Sequence, residues 1–115
     1  MIHRLYNPWH ITNSGEKEAD KQLSHNGAGD EPMHVMHSLR LSSRYHRTQM
    51  AGECDFVVIA RPGIMVIEVK GGIIGYGSQP GGGTGYYRLI SDGKKEALDD
   101  PFSQVDGNAD AIQKY

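Results

Sequence analysis

Two apolar runs separated by a single turn constrain this chain more than any other feature. Asp55-Phe56-Val57-Val58-Ile59-Ala60 opens with an acid, and Ile64-Met65-Val66-Ile67-Glu68-Val69-Lys70 closes with an acid and a lysine. Runs of this kind, rich in β-branched residues and bounded by turn residues, read as strands. Arg61-Pro62-Gly63-Ile64 puts proline second and glycine third, which suits a type II turn. In a two-residue hairpin Arg61 pairs with Ile64, and the pairing runs back to Val57 opposite Glu68 and Asp55 opposite Lys70. Opposed residues share a face of the sheet, and so do residues two apart. Asp55, Glu68 and Lys70 then converge on one side. Tight hairpins prefer the primed turns, however, and a one-residue slip sends Asp55 to the opposite face. Both runs are apolar on both faces, so the hydrophobic pattern leaves the register open.

An acid on one strand beside an acid and a lysine on the next is the minimum set for metal-assisted phosphodiester hydrolysis. Carboxylate oxygens suit a hard divalent cation, and an ammonium can sit beside the attacked phosphate. The plain alternative is a solvated sheet face that carries charges two apart.

Composition narrows the classes. A chain of 115 residues is expected to form one domain over 1–115, with a modest core and two layers rather than three. No apolar stretch approaches the roughly 20 residues a membrane span needs. The first residues lack the apolar segment of a secretory signal. A single cysteine, Cys54, excludes an intramolecular disulfide and fits a reducing, cytoplasmic compartment. It reads as a small semi-buried thiol. The net charge of −2 counts mildly against nucleic-acid binding, but from Met33 to Gly52 there is no acid, while Arg40, Arg44 and Arg47 fall inside. That stretch is either a solvated loop or a phosphate-contacting edge.

Along the chain, residues 1–12 read as an irregular lead-in. Asn13 or Ser14 caps a helix, with Glu16, Ala19 and Leu23 on its apolar side. Glu16, an acid on that side, is either a capping-box residue or a site residue. His34 to Leu41 is a plausible strand. His34 and His37 face opposite ways on it and read as ordinary histidines. Eight glycines between Gly71 and Gly85 suggest a mobile loop. It shows no Gly-Lys-Ser/Thr and precedes no helix, so it is not a nucleotide-binding loop. Tyr86 to Ile90 reads as a strand, and Asp92-Gly93 as a hairpin turn. Asp100 caps a second helix with Pro101 at its first position, and Phe102, Val105, Ala109 and Ile112 form its apolar stripe.

The order of these features is more specific than the Glu-x-Lys pattern alone. Gly15-Glu16 opens a helix. Glu53-Cys54-Asp55-Phe56-Val57-Val58 precedes Pro62-Gly63-Ile64-Met65-Val66-Ile67-Glu68-Val69-Lys70-Gly71, a glycine-rich hairpin follows, and Asp100-Pro101-Phe102-Ser103-Gln104 opens the second helix. From about residue 14 to 115 this succession resembles the nuclease-related domain (NERD) family of the PD-(D/E)xK nuclease superfamily. The resemblance implies an α/β fold: a nuclease-like core of helix, antiparallel three-stranded meander and helix, then commonly one more strand. It implies a divalent-metal-dependent enzyme that hydrolyses DNA phosphodiester bonds, with Mg²⁺ or Mn²⁺ as cofactor. Asp55, Glu68 and the Val69 carbonyl would be the metal ligands and Lys70 the catalytic lysine. Glu16 matches the family's first-helix acid and Gln104 its second-helix glutamine. Arg40, Arg44 and Arg47 would contact DNA. Cys54 stands where the superfamily's nominal proline falls. Tyr115 lies inside the second helix, so the final strand is expected to be missing: the chain is a fragment, or a short member whose sheet edge is covered by a partner or a second copy. Partners expected on this basis are DNA and a helicase or other DNA-processing protein, and no membrane. The competing expectation is a non-catalytic DNA-binding or docking module on the same fold.

Overall fold

The hairpin forms, but its turn moves by one residue at each end. In the computed structural model, which describes residues 2–26, 31–41 and 52–113, β3 (Gly52–Ala60) and β4 (Gly63–Ile67) are antiparallel, with Ala60 opposite Gly63 and Phe56 opposite Ile67. Arg61 and Pro62 make the loop, not Pro62 and Gly63. Gly63 instead enters the strand with φ +151°, a backbone state open to glycine. The change of register is even, so it leaves the faces as expected. Carried one step past Ile67, it sets Asp55 opposite Glu68 rather than Lys70. The strand stops at Ile67, and residues 68–70 leave the ladder.

β2 (Met33–Leu41) pairs antiparallel with β3 on its other side, completing the meander. The lead-in is not irregular. β1 (Ile2–Arg4) runs parallel to β2, so the main sheet has the order β1-β2-β3-β4. A short 3-10 turn, Pro8–His10, follows, held by Asn7, whose side chain accepts from the Trp9 amide. These residues show no periodicity because only Ile2, Tyr6 and Ile11 reach the core, and pairing with β2 is a tertiary event.

α1 (Ser14–Asn26) is capped by Asn13, whose Oδ1 accepts from the Glu16 amide at 3.0 Å. Ala19 and Leu23 pack with Ile11, Val35, Phe56 and Val58 on one face of the sheet. α2 (Pro101–Gln113) starts at its Asp100 cap and lies on the other face. There Ala111 and Ile112 meet Cys54, Val57, Met36, Leu39 and Val66. Three layers result, not two. That explains why β3 reads as an unbroken apolar run: a helix covers each of its faces. The expected stripe of α2 is rotated. Gly107, Asn108 and Ala111 are buried, whereas Phe102 is 67% exposed and tilts against Tyr86. Small residues let the helix approach the sheet closely, so its buried face does not look apolar in sequence.

The glycine-rich segment is also ordered. β5 (Ile73–Ser78), β6 (Thr84–Leu89) and β7 (Lys95–Ala97) form a second antiparallel sheet. Gly75 supports the Tyr87 ring so closely that a Cβ there would fall 2.5 Å from it. The glycine is a seat for a cross-strand aromatic, a use a composition count reads as looseness. Asp92 and Gly93 take φ +65° and +70° in the β6–β7 turn, as the Asp-Gly signal requires.

Candidate active site

The end of the β3–β4 hairpin gathers the charged residues. Beyond Ile67 the backbone of β4 no longer pairs with β3, and a side chain takes over: Asp55 Oδ2 accepts from the Val69 amide at 2.8 Å. This bond ties the acid of one strand to the acid–lysine segment of the next. Glu68, its side chain only 9% exposed, lies against Asp55 and forms an ion pair with Lys70 Nζ at 2.9 Å. Burial pushes the Glu68 carboxyl above its ordinary value, and the Asp55 charge adds to that push, while the Lys70 ammonium opposes it. Two carboxylates share a poorly solvated corner, and one ammonium relieves only part of their repulsion. Such a corner attracts further positive charge.

The neighbouring strand is distorted at the same level. The β2–β3 ladder is interrupted between the His37–Phe56 and Leu39–Cys54 pairs, where Ser38 takes φ +57°. β2 changes face there: His37 lies against Phe56 on the α1 side, and Leu39 packs on the α2 side. Cys54 is fully buried, and burial, together with the charges of Glu68, Asp55 and Glu53, lifts its thiol to about 11. It is an inert thiol, as its lack of partners in the sequence implied.

The start of α1 closes the site from above. A Cβ on Gly15 would stand 3.2 Å from the Gly71 Cα and 3.3 Å from Val69, so helix and loop touch nearly backbone to backbone. Glu16 follows, and its Oε1 meets His37 Nε2 at 2.7 Å. Glu16 is therefore engaged by His37 and not by the Asp55–Glu68 pair. Among the described residues no three His, Cys, Asp or Glu side chains converge as a metal cage.

A family model described as nuclease-related domain matches residues 11–115, almost the whole chain. The chain belongs to the nuclease-related domain family. That family lies within the PD-(D/E)xK-like nucleases, and the mixed α/β architecture agrees with it. Neither a curated protein nor a solved structure matches the chain. No helix among the described residues is long and apolar enough to cross a membrane.

Within this nuclease-related domain the remaining expected residues fall as follows. Gln104 sits in the first turn of α2, and its side-chain oxygen is buried without a hydrogen-bond donor. Arg40 projects from β2, 84% exposed and 3.8 Å from Glu53, two residues from Asp55. Arg44 and Arg47 lie outside the described residues. Two participants escaped the sequence reading. His37, which reads in sequence as an ordinary histidine, orients Glu16, and only the pairing of β2 with β3 beneath α1 brings the two together. Arg88 of β6 donates from Nε to the Gly71 carbonyl at 2.9 Å and pins the second sheet against the segment after Lys70. No pattern in the sequence marks either residue. The nearest signal for His37 is that it alternates with Met33 and Val35, the apolar residues of β2 that face α1.

Proposed function

We propose that this nuclease-related domain is a divalent-metal-dependent nuclease that hydrolyses DNA phosphodiester bonds. One observation carries the reading: Asp55 and Glu68 are held side by side with the Lys70 ammonium against Glu68. The donor set fits a hard cation that keeps much of its own water. Mg²⁺ characteristically takes one or two carboxylates and does not need an all-protein cage, so the lack of a third acidic ligand among the described residues is no obstacle. Asp55, Glu68 and the Val69 carbonyl would hold the ion. When bound, a divalent cation supplies a water of lowered pKa and neutralises charge on the phosphate.

The chain's own groups do the rest. Asp55 holds the Val69 amide, and that bond fixes the backbone on which Glu68 and Lys70 are carried. Lys70 would orient or deprotonate the attacking water, or place its positive charge where negative charge grows on the phosphoryl oxygens. The buried Gln104 oxygen is an acceptor without a donor, suited to steady the Lys70 ammonium or the attacking water. Glu16, set by His37, borders the site from α1. Arg40, with Arg44 and Arg47, would hold the DNA backbone through phosphate contacts that carry no sequence preference.

The test is cleavage of single-stranded, double-stranded and branched DNA in Mg²⁺ and Mn²⁺. Lys70→Ala should lose turnover and retain Mn²⁺ affinity by calorimetry, since an ammonium does not ligate a cation. Loss of metal binding along with activity would refute the role given to Lys70. A wild-type domain that binds no metal would instead be a docking module on the nuclease fold.

A further inference from the structure

Between α1 and the N-terminal segment of β1 and the 3-10 turn lies a cavity of about 630 Å³. That volume is within the roughly 300–1,000 Å³ of ordinary ligand clefts. Its lining includes Arg4, Trp9, Ile11, Lys17, Asp20 and Lys21. Trp9 is 91% exposed, an unusual state for so large an apolar ring. It is nevertheless firmly placed. Asn7 caps the turn, His10 donates its amide to the Asn7 carbonyl, and Ile11, buried in the core, anchors the exit.

Arg4 is already spent. It forms a two-pronged pair with Asp20 at 2.9 and 3.0 Å and donates to Ser24. Lys17 and Lys21 are different: one helical turn apart and exposed, they pair with no acid among the described residues. An exposed indole on an anchored turn, beside two ammonium groups without an acid partner among the described residues, is the arrangement that binds single-stranded nucleic acid, a base on the ring and phosphates on the cations. We infer that this cavity is a docking site for single-stranded DNA, with Trp9 as the stacking platform and Lys17 and Lys21 as the phosphate contacts. The inference rests on the nuclease reading and extends it. α1 supplies both Glu16, which borders the proposed active site, and the cavity's Lys17 and Lys21, so one helix links the two places.

Trp9 is the only tryptophan in the chain, so its fluorescence reports this site alone. Wild type is titrated with oligo-dT in EDTA, following both Trp9 emission and oligonucleotide anisotropy. Saturable quenching is expected to track binding. An abasic phosphodiester strand of equal length should bind weakly and quench little. Trp9→Ala should weaken binding at least about 5-fold, and Trp9→Phe should restore most of it. Lys17→Ala and Lys21→Ala should each reduce the salt dependence of log K by about 0.7. All four substitutions are at exposed positions or in the capped turn, and a thermal melt checks that they fold. DNA binding with unchanged Trp9 emission, or an unaffected Trp9→Ala variant, overturns the site. In that case Mg²⁺-dependent cleavage by the wild type shows whether the nuclease reading survives. Equal quenching by poly-glutamate would make the cavity an acidic-peptide site and also overturn the inference. A wild type that neither binds nor cleaves DNA removes both readings together.

Discussion

Asp20 and Glu68 are both shielded carboxylates, and their surroundings drive them in opposite directions. Burial pushes Asp20 upward, but bonds from Arg4 and Tyr6 outweigh it and hold the carboxyl below the ordinary 3.8. The folded chain binds that proton less readily than the unfolded one. Its stabilisation is thus complete above the ordinary value and disappears as pH falls through the lowered one. Asp20→Asn should flatten the acid limb of a urea-midpoint profile, and Asp20→Ala should cost about 2 kcal/mol by leaving Arg4 and Tyr6 without their acceptor. Tyr6, lifted to about 12 by burial and by its bond to Asp20, stays protonated throughout. For Glu68 the sign reverses. Its folded pKa lies above the ordinary 4.5, so the folded state binds the extra proton, and metal-free stability declines as pH rises from 4.5 through the raised value. Glu68→Gln should remove that decline. The same melts with and without Mn²⁺ should show metal affinity growing over the pH range where metal-free stability falls, because the ligand must be ionised. A Glu68→Gln profile parallel to wild type would mean that another group titrates.

Elements meet the site through glycine. Gly15 at the start of α1 faces Gly71 after Lys70 so closely that a Cβ on Gly15 would press to 3.2 Å from the Gly71 Cα, whereas one on Gly71 would make ordinary contact. Gly15→Ala gains helix propensity, up to about 1 kcal/mol, but crowds backbone that has little room to yield, typically at a cost of about 1–3 kcal/mol. The expected net result is a loss of about 1 kcal/mol by chemical denaturation and a larger relative loss of cleavage, since the displaced loop carries Glu68 and Lys70. An intact rate in the variant would show that the contact is packing alone. Other expectations at this scale were legible from local chemistry. Asn13, Asp100-Pro101 and Asp92-Gly93 each act through neighbours within four residues, and each forms as its sequence implies. The turn at Pro62 did not, because two adjacent registers satisfy the same local rules and the ladder with β2 and β4 chooses between them. The glycine-rich segment failed for the complementary reason. Its strands are fixed by cross-strand seats for Tyr87, and a glycine's use as a seat depends on what lies across the sheet.

At the scale of the molecule, the Asp55–Glu68 repulsion couples folding to metal. An ion that binds only the folded form at about a hundred times its Kd stabilises by about 2.7 kcal/mol. Mg²⁺ or Mn²⁺ should therefore raise the melting temperature of wild type, while Asp55→Asn and Glu68→Gln should each abolish most of that rise. Both variants should hold or slightly exceed the metal-free wild type, because each removes one of two crowded charges. A strong drop in metal-free melting temperature for both would mark the carboxylates as structural. Arg88 and the Tyr86–Phe102 contact join the second sheet to the loop after Lys70 and to the start of α2, so the metal-induced rise should extend to hydrogen-exchange protection in β6.

The chain alone determined the helices, their caps and the central apolar strands, with an acid opening one and an acid and a lysine closing the next, but it left the register between them open. These rest on interactions within a few residues, and on the order of motifs that places the chain in its family. Tertiary structure decided the rest. It added β1 beside β2, rotated α2 onto its small residues and set α1 and α2 on opposite faces of the sheet. It also joined His37 to Glu16, which are 21 residues apart. Each of these depends on which distant surface covers a residue. No local periodicity encodes that choice: the free energy lies in the contact and not in either partner.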